Sequence, residues 1–157
     1  MADSTAAPQA RLLTTRRAFL VGGAIALGAG GGYLWWTRMP FDGATIDPPT
    51  AHQMAVAGNL LLIDVRRPDE WAATGIGEGA NPLDMRRDDF VQALTDLAGG
   101  DKSRQIALIC ARGVRSNRVA QRLIDAGFTR IIDIPEGMLG SDAGPGWLQR
   151  GLPVRQP

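Results

Sequence analysis

The chain has 157 residues, with 17 Lys and Arg against 16 Asp and Glu and a formal net charge of +1. That length holds one ordinary domain plus an appendage. From residue 41 onward 13 basic residues face 15 acidic ones, so no overall field selects nucleic acid or another polyanion. One cysteine, Cys110, and one histidine, His52, exclude an internal disulfide, a multi-cysteine metal site and a histidine cluster. No metal or cofactor is expected.

Residues 1–17 begin as a polar, Ala- and Thr-rich stretch expected to be disordered, and end in the basic n-region Thr15-Arg16-Arg17. The next nineteen residues, 18–36, carry no charge and include six glycines. Two arginines, a variable residue and Phe19-Leu20 resemble a twin-arginine export signal. As a helix the apolar stretch would reach about 28 Å, close to the hydrocarbon thickness of a bilayer. Tyr33, Trp35 and Trp36 stand where an interfacial aromatic belt would fall, and no small-x-small cleavage site follows them. Residues 18–36 are therefore expected to anchor the chain in a bacterial-type inner membrane, with the remainder facing the periplasm. The glycine content leaves a second outcome open, a cleaved signal and a soluble periplasmic domain. Gly28 and Gly32 form a GxxxG pair that would let two spans pack as a homodimer.

Residues 37–45 read as a linker, and a domain is expected over 46–155. Thr50 is placed to N-cap a short helix running to about Ala57 and ended by Gly58, with His52 on its solvated side. Leu60 to Val65 is a continuous apolar run, as expected of a strand covered on both faces. Pro68 suits a helix start, where its missing N–H costs nothing. The glycine-rich Thr74–Pro82 segment predicts a turn into a short edge strand. Arg86–Ala98 reads as a helix with Phe90, Leu94 and Leu97 on one face, stopped by Gly99-Gly100.

Gln105 to Ile109 is a second buried strand, and Cys110 follows it directly. After Cys110, Val119, Leu123, Ile124 and Phe128 recur at helical spacing. The thiol thus stands between the carboxyl end of a strand and the start of a helix, where open parallel sheets bind ligands. Unpaired helix N–H groups, the macrodipole and the cations Arg112 and Arg115 all favour thiolate over thiol. Gly113 can take backbone angles that turn successive N–H groups toward one anion. The bland alternative is a buried, inert cysteine. Arg130 to Ile134 supplies the last strand, and Gly140 to Gly146 a loop. The alternation of strands and helices predicts an α/β fold, a mostly parallel central sheet with helices on both faces.

Cys110-Ala111-Arg112-Gly113-Val114-Arg115-Ser116 resembles the active-site loop of the rhodanese (sulfurtransferase) family, a Cys, two variable residues, a Gly, a variable residue and often an Arg. Asp64-Val65-Arg66-Arg67-Pro68-Asp69-Glu70-Trp71 resembles a second family segment. Thr74–Pro82 matches a third imperfectly, with Gly75 where a histidine is common and one residue extra. Pro135-Glu136-Gly137-Met138, Trp147 and Gly151-Leu152-Pro153-Val154 continue the likeness, which covers residues 46–155.

The resemblance implies a rhodanese-like domain in which Cys110 carries sulfane sulfur as a persulfide. Ala111, Arg112, Gly113, Val114, Arg115 and Ser116 would form the substrate-binding loop, with the two arginines on the donor's anionic oxygens. Asp64 and Arg66 would brace it from behind, or else form an ordinary surface ion pair. The partners implied are a donor such as thiosulfate and a thiol or cyanide acceptor. Two other functions compete with a turning-over enzyme. A tethered sulfur carrier or redox sensor would use the same residues with little turnover. A cysteine phosphatase would need arginine six positions after the cysteine, where this chain has Ser116.

Overall fold

The structure, a computed structural model, describes residues 41–157. The expected signal or anchor at 18–36, the basic segment before it and residues 37–40 lie outside the described residues. Among those described, no helix is long and apolar enough to cross a membrane.

Five parallel strands form the central sheet in the order β1 (Ala44–Thr45), β6 (Ile131–Asp133), β5 (Ile106–Ile109), β2 (Leu61–Asp64) and β4 (Ala80–Pro82). Strands β2 and β5 sit at the centre and are buried along their whole length. Alternation then sends Leu61, Ile63, Ile106 and Leu108 to one face and Leu62, Ala107 and Ile109 to the other. On the first face lie α3 (Phe90–Leu97) and α4 (Val114–Asp125), through Phe90, Leu94, Val119, Ala120 and Leu123. On the second lie α1 (Pro48–Val56), α2 (Pro68–Thr74) and the short α5 (Gly146–Gln149), through Ala51, Trp71 and Trp147. The expected α/β fold, with helices on both faces of a parallel sheet, is observed. A separate antiparallel ribbon joins β3 (Ile76–Gly77) to β7 (Val154–Arg155).

Several local expectations change. Residues 41–45 do more than link: Phe41 is buried in the core and Ala44–Thr45 pairs with Ile132–Asp133 as the sheet edge. Asp47, not Thr50, caps α1, its carboxylate accepting the Thr50 N–H at 2.8 Å. Pro48 then fills the first helical position. Helix α3 begins at Phe90 rather than Arg86, because Asp84 and Arg86, and Arg87 and Asp89, close local ion pairs that hold the preceding chain in turns. Leu97 and Ile124 are exposed, and Ala98 is buried beside Leu97, whereas Val119, Leu123 and Phe128 are buried as expected. His52 is not free in solvent. Its Nε2 lies 2.7 Å from a Glu78 carboxylate oxygen, and its ring meets Trp147 edge-on.

Candidate active site

Cys110 leaves the carboxyl end of the central strand β5 and is 1% exposed. The chain turns just beyond it, and Gly113 makes the turn with φ 80° and ψ −29° as the N-cap of α4. A β-carbon at Gly113 would collide with the Pro135 carbonyl, so glycine is required twice over. A second close approach occurs at Gly137, φ 68°, whose α-carbon packs on the Ala111 peptide.

The loop's carbonyls are tied away from the thiol. The Met138 N–H donates to Cys110 O at 2.8 Å and the Leu139 N–H to Ala111 O at 2.9 Å. Gly113 O accepts both the Asn117 N–H at 3.1 Å and the buried Ser116 hydroxyl at 2.9 Å. The N–H groups from Ala111 through Ser116 find no protein acceptor among the described residues. Acceptors are used and donors are left, so the backbone around Cys110 presents a cluster of unpaired N–H dipoles and a local positive potential.

Asp64 and Arg66 form a buried ion pair, 2.7 Å apart with both side chains at 1% exposure or less. Arg66 also donates to Thr74 Oγ1 and to the carbonyls of Glu70 and Gly75. It therefore ties the end of β2 to both ends of α2, and the surface-pair alternative does not hold.

Arg112 is exposed and donates to Gly140 O at 3.4 Å. Arg115 is not free: both terminal nitrogens donate to the Glu70 carboxylate at 2.6 Å. The Arg115 guanidinium, with help from the Arg67 backbone N–H, holds Glu70 down at about 2. Sequence reasoning did not assign Glu70. Its signals were its place in the Asp64–Trp71 segment and its position three residues after Arg67, where it accepts the Arg67 N–H at 3.1 Å as a helix cap. Asp133 was also missed. It lies at the carboxyl end of β6, 2% exposed, with Oδ1 lacking any hydrogen-bond partner, and burial pushes its carboxyl above the ordinary range. The Gly140–Gly146 loop is a closed turn, bridged between Ser141 and Gly144 and held by the Ser141 hydroxyl on Pro135 O at 2.7 Å. Trp147 is fully buried core, as its apolar surroundings dictate.

Such a site can hold a small anion beside the Cys110 sulfur without a metal-ligand cluster, none of which occurs among the described residues. Known proteins resemble this chain. The chain is 29% identical over 128 residues to thiosulfate sulfurtransferase 16, chloroplastic, of Arabidopsis thaliana, a match covering 76% of this chain and 96% of that one. It is 30% identical over 98 residues to the tRNA uridine(34) hydroxylase of Nitrobacter hamburgensis, covering 62% of this chain but only 38% of that longer protein. The polysulfide-sulfur transferase homodimer of Wolinella succinogenes shares the fold, with a TM-score of 0.59 at 23% identity, over 83% of this chain and 93% of that one. Residues 47–141 match the family described as Rhodanese-like domain, and the chain belongs to that family.

Proposed function

We infer that the protein is a sulfurtransferase in which Cys110 accepts sulfane sulfur from an anionic donor such as thiosulfate and passes it to a thiol or to cyanide. The observation that carries this reading is the run of free N–H groups from Ala111 to Ser116 around a buried thiol. As thiolate, Cys110 attacks the donor's outer sulfur. The donor's sulfur–sulfur bond breaks, its electron pair leaves with the rest of the donor (sulfite, from thiosulfate), and a persulfide stays on Cys110. The free N–H groups stabilise the anion before and after transfer, and Arg112 offers charge at the mouth. Asp64 and Arg66 keep the neighbouring strand end in register with the loop. Relatives named for sulfur transfer support the chemistry at family level.

The test is incubation of the protein with thiosulfate, followed by mass spectrometry. The expected result is a gain of one sulfur atom on Cys110, removed by cyanide and absent in Cys110→Ser. A Cys110→Ser protein that still gains sulfur would overturn the assignment. The low exposure of Cys110 favours one second reading, a carrier that loads and unloads slowly. Steady-state thiocyanate formation separates the two: sustained turnover supports the enzyme, a single stoichiometric burst the carrier. Residues 16–36 support export and anchoring of the domain at a membrane. Mass-spectrometric mapping of the mature N-terminus, showing those residues retained or removed, decides between anchor and cleaved signal.

A further inference from the structure

Charge at the rim of the Cys110 site is set by ion pairs more than by the number of arginines. Arg115 commits both terminal nitrogens to Glu70. Arg67 lies between Asp69 at 3.0 Å and Glu70 at 3.3 Å. These two cations and two anions cancel. Asp64 and Arg66 cancel in the same way behind the loop. Arg112 is then the loop cation with no carboxylate partner among the described residues, its guanidinium donating to the neutral Gly140 carbonyl. Arg118 and Arg122 belong to later turns of α4, beyond the first turn in which a helix N-terminus exerts its field. Beside Arg112, Val114 is 62% exposed and adds an apolar surface to the rim. One uncompensated positive charge next to a branched alkyl group suits a donor of low charge with an organic substituent.

Resting on the reading of Cys110 as the sulfur acceptor, we propose that Glu70 is a specificity-determining residue, which neutralises Arg115 and turns the site toward organic persulfides, R–S–SH, and away from dianionic thiosulfate. The step balances without any oxidant or reductant. The Cys110 thiolate attacks the outer sulfur of R–S–SH, the Sγ–S bond forms as the donor's S–S bond breaks, and the bonding pair leaves with R–S⁻. The proton remains on the outer sulfur, now part of the Cys110 persulfide. With thiosulfate the same attack must expel sulfite bearing two negative charges, beside a guanidinium already shared with a carboxylate. A persulfide asks the rim to stabilise only one.

Glu70→Gln isolates the charge, because an amide oxygen can still accept the Arg67 N–H that Glu70 now caps at 3.1 Å. In the full-length protein, loading of Cys110 is followed by mass spectrometry with cysteine persulfide and with thiosulfate. The wild type is expected to favour the persulfide by about a hundredfold in second-order rate, two lost charge-assisted contacts at about tenfold each. Glu70→Gln is expected to speed thiosulfate loading by about a hundredfold, both contacts being regained, while persulfide loading stays within about threefold. Glu70→Ala, which also removes the cap, should be less stable yet show the same gain with thiosulfate. A wild type that prefers thiosulfate overturns the proposal, as does a Glu70→Gln variant that changes both donors by the same factor. If neither donor places sulfur on Cys110, the sulfur-transfer reading itself falls, a result distinct from a donor ratio that fails to move.

Discussion

The Pro135 carbonyl lies against the α-carbon of Gly113, close enough that no β-carbon fits between them. Gly113 also holds φ 80°, which other residues adopt only under strain. Two penalties therefore add in Gly113→Ala, backbone strain of about 1–2 kcal/mol and a steric clash of about 1–3 kcal/mol. Urea denaturation is expected to show a loss of about 2–5 kcal/mol. Persulfide formation on Cys110 should fall with it, since relief of the clash must move the loop. A variant with wild-type stability and loading would contradict this geometry.

Arg66 is the hub between β2 and α2, and its removal leaves the Asp64 carboxylate buried and unpaired. Breaking a buried pair from one side costs about 3–5 kcal/mol. Arg66→Met is expected to lose that much by chemical denaturation. The double variant Asp64→Ala, Arg66→Met should recover part of the loss, because no stranded charge remains. Equal destabilisation of single and double variants would show that the contacts to Thr74 and Gly75, not the charge pair, dominate.

Asp133 carries a pH signature of the opposite sign to most carboxylates. Burial raises its folded pKa above the ordinary 3.8, so the folded state holds this proton more tightly than the unfolded chain does. Its contribution to stability is thus complete below about pH 4 and is lost as pH rises through the raised folded value. Asp133→Asn cannot ionise. Thermal melts between pH 4 and 8 should show the variant gaining on the wild type as pH rises, reaching about 1–3 kcal/mol. A difference independent of pH would remove ionisation as the cause.

The Glu70–Arg115 pair responds in the usual direction. With Glu70 depressed from 4.5 to about 2, the pair's contribution is present above 4.5 and lost as pH falls toward 2. Arg115→Gln is expected to be about 1–2 kcal/mol less stable than wild type at pH 7, as for a half-buried, bidentate pair. That gap should close as the protein is acidified across this window. A gap that persists at pH 2 would assign the effect to packing of the Arg115 side chain.

Much of the arrangement around Cys110 was readable from order and spacing. A short apolar run, a lone cysteine, a glycine three positions on and a helical repeat of Val119, Leu123 and Phe128 define strand, loop and helix by local pattern. The buried run ending at Asp64 was legible for the same reason. What the sequence concealed depends on distant pairing. Strand β1 is two residues long, too short for any periodicity, and exists because Ala44 and Thr45 meet Ile132 and Asp133. Arg115 looked like a free cation because its partner, Glu70, stands 45 positions earlier in the chain. His52 looked solvated for a like reason, since Glu78 and Trp147 reach it only after folding. Residues 86–89 had helical composition, yet neighbouring acid–base pairs captured them as turns.

Met138 and Leu139 hold the Cys110 loop through main-chain atoms alone, and Gly113 and Gly137 let the two segments touch. Form and selectivity are consequently written in different places. Substitutions at the exposed positions 112 or 114 can retune which molecule is welcomed while the loop keeps its outline, whereas either glycine is indispensable to that outline and indifferent to the guest.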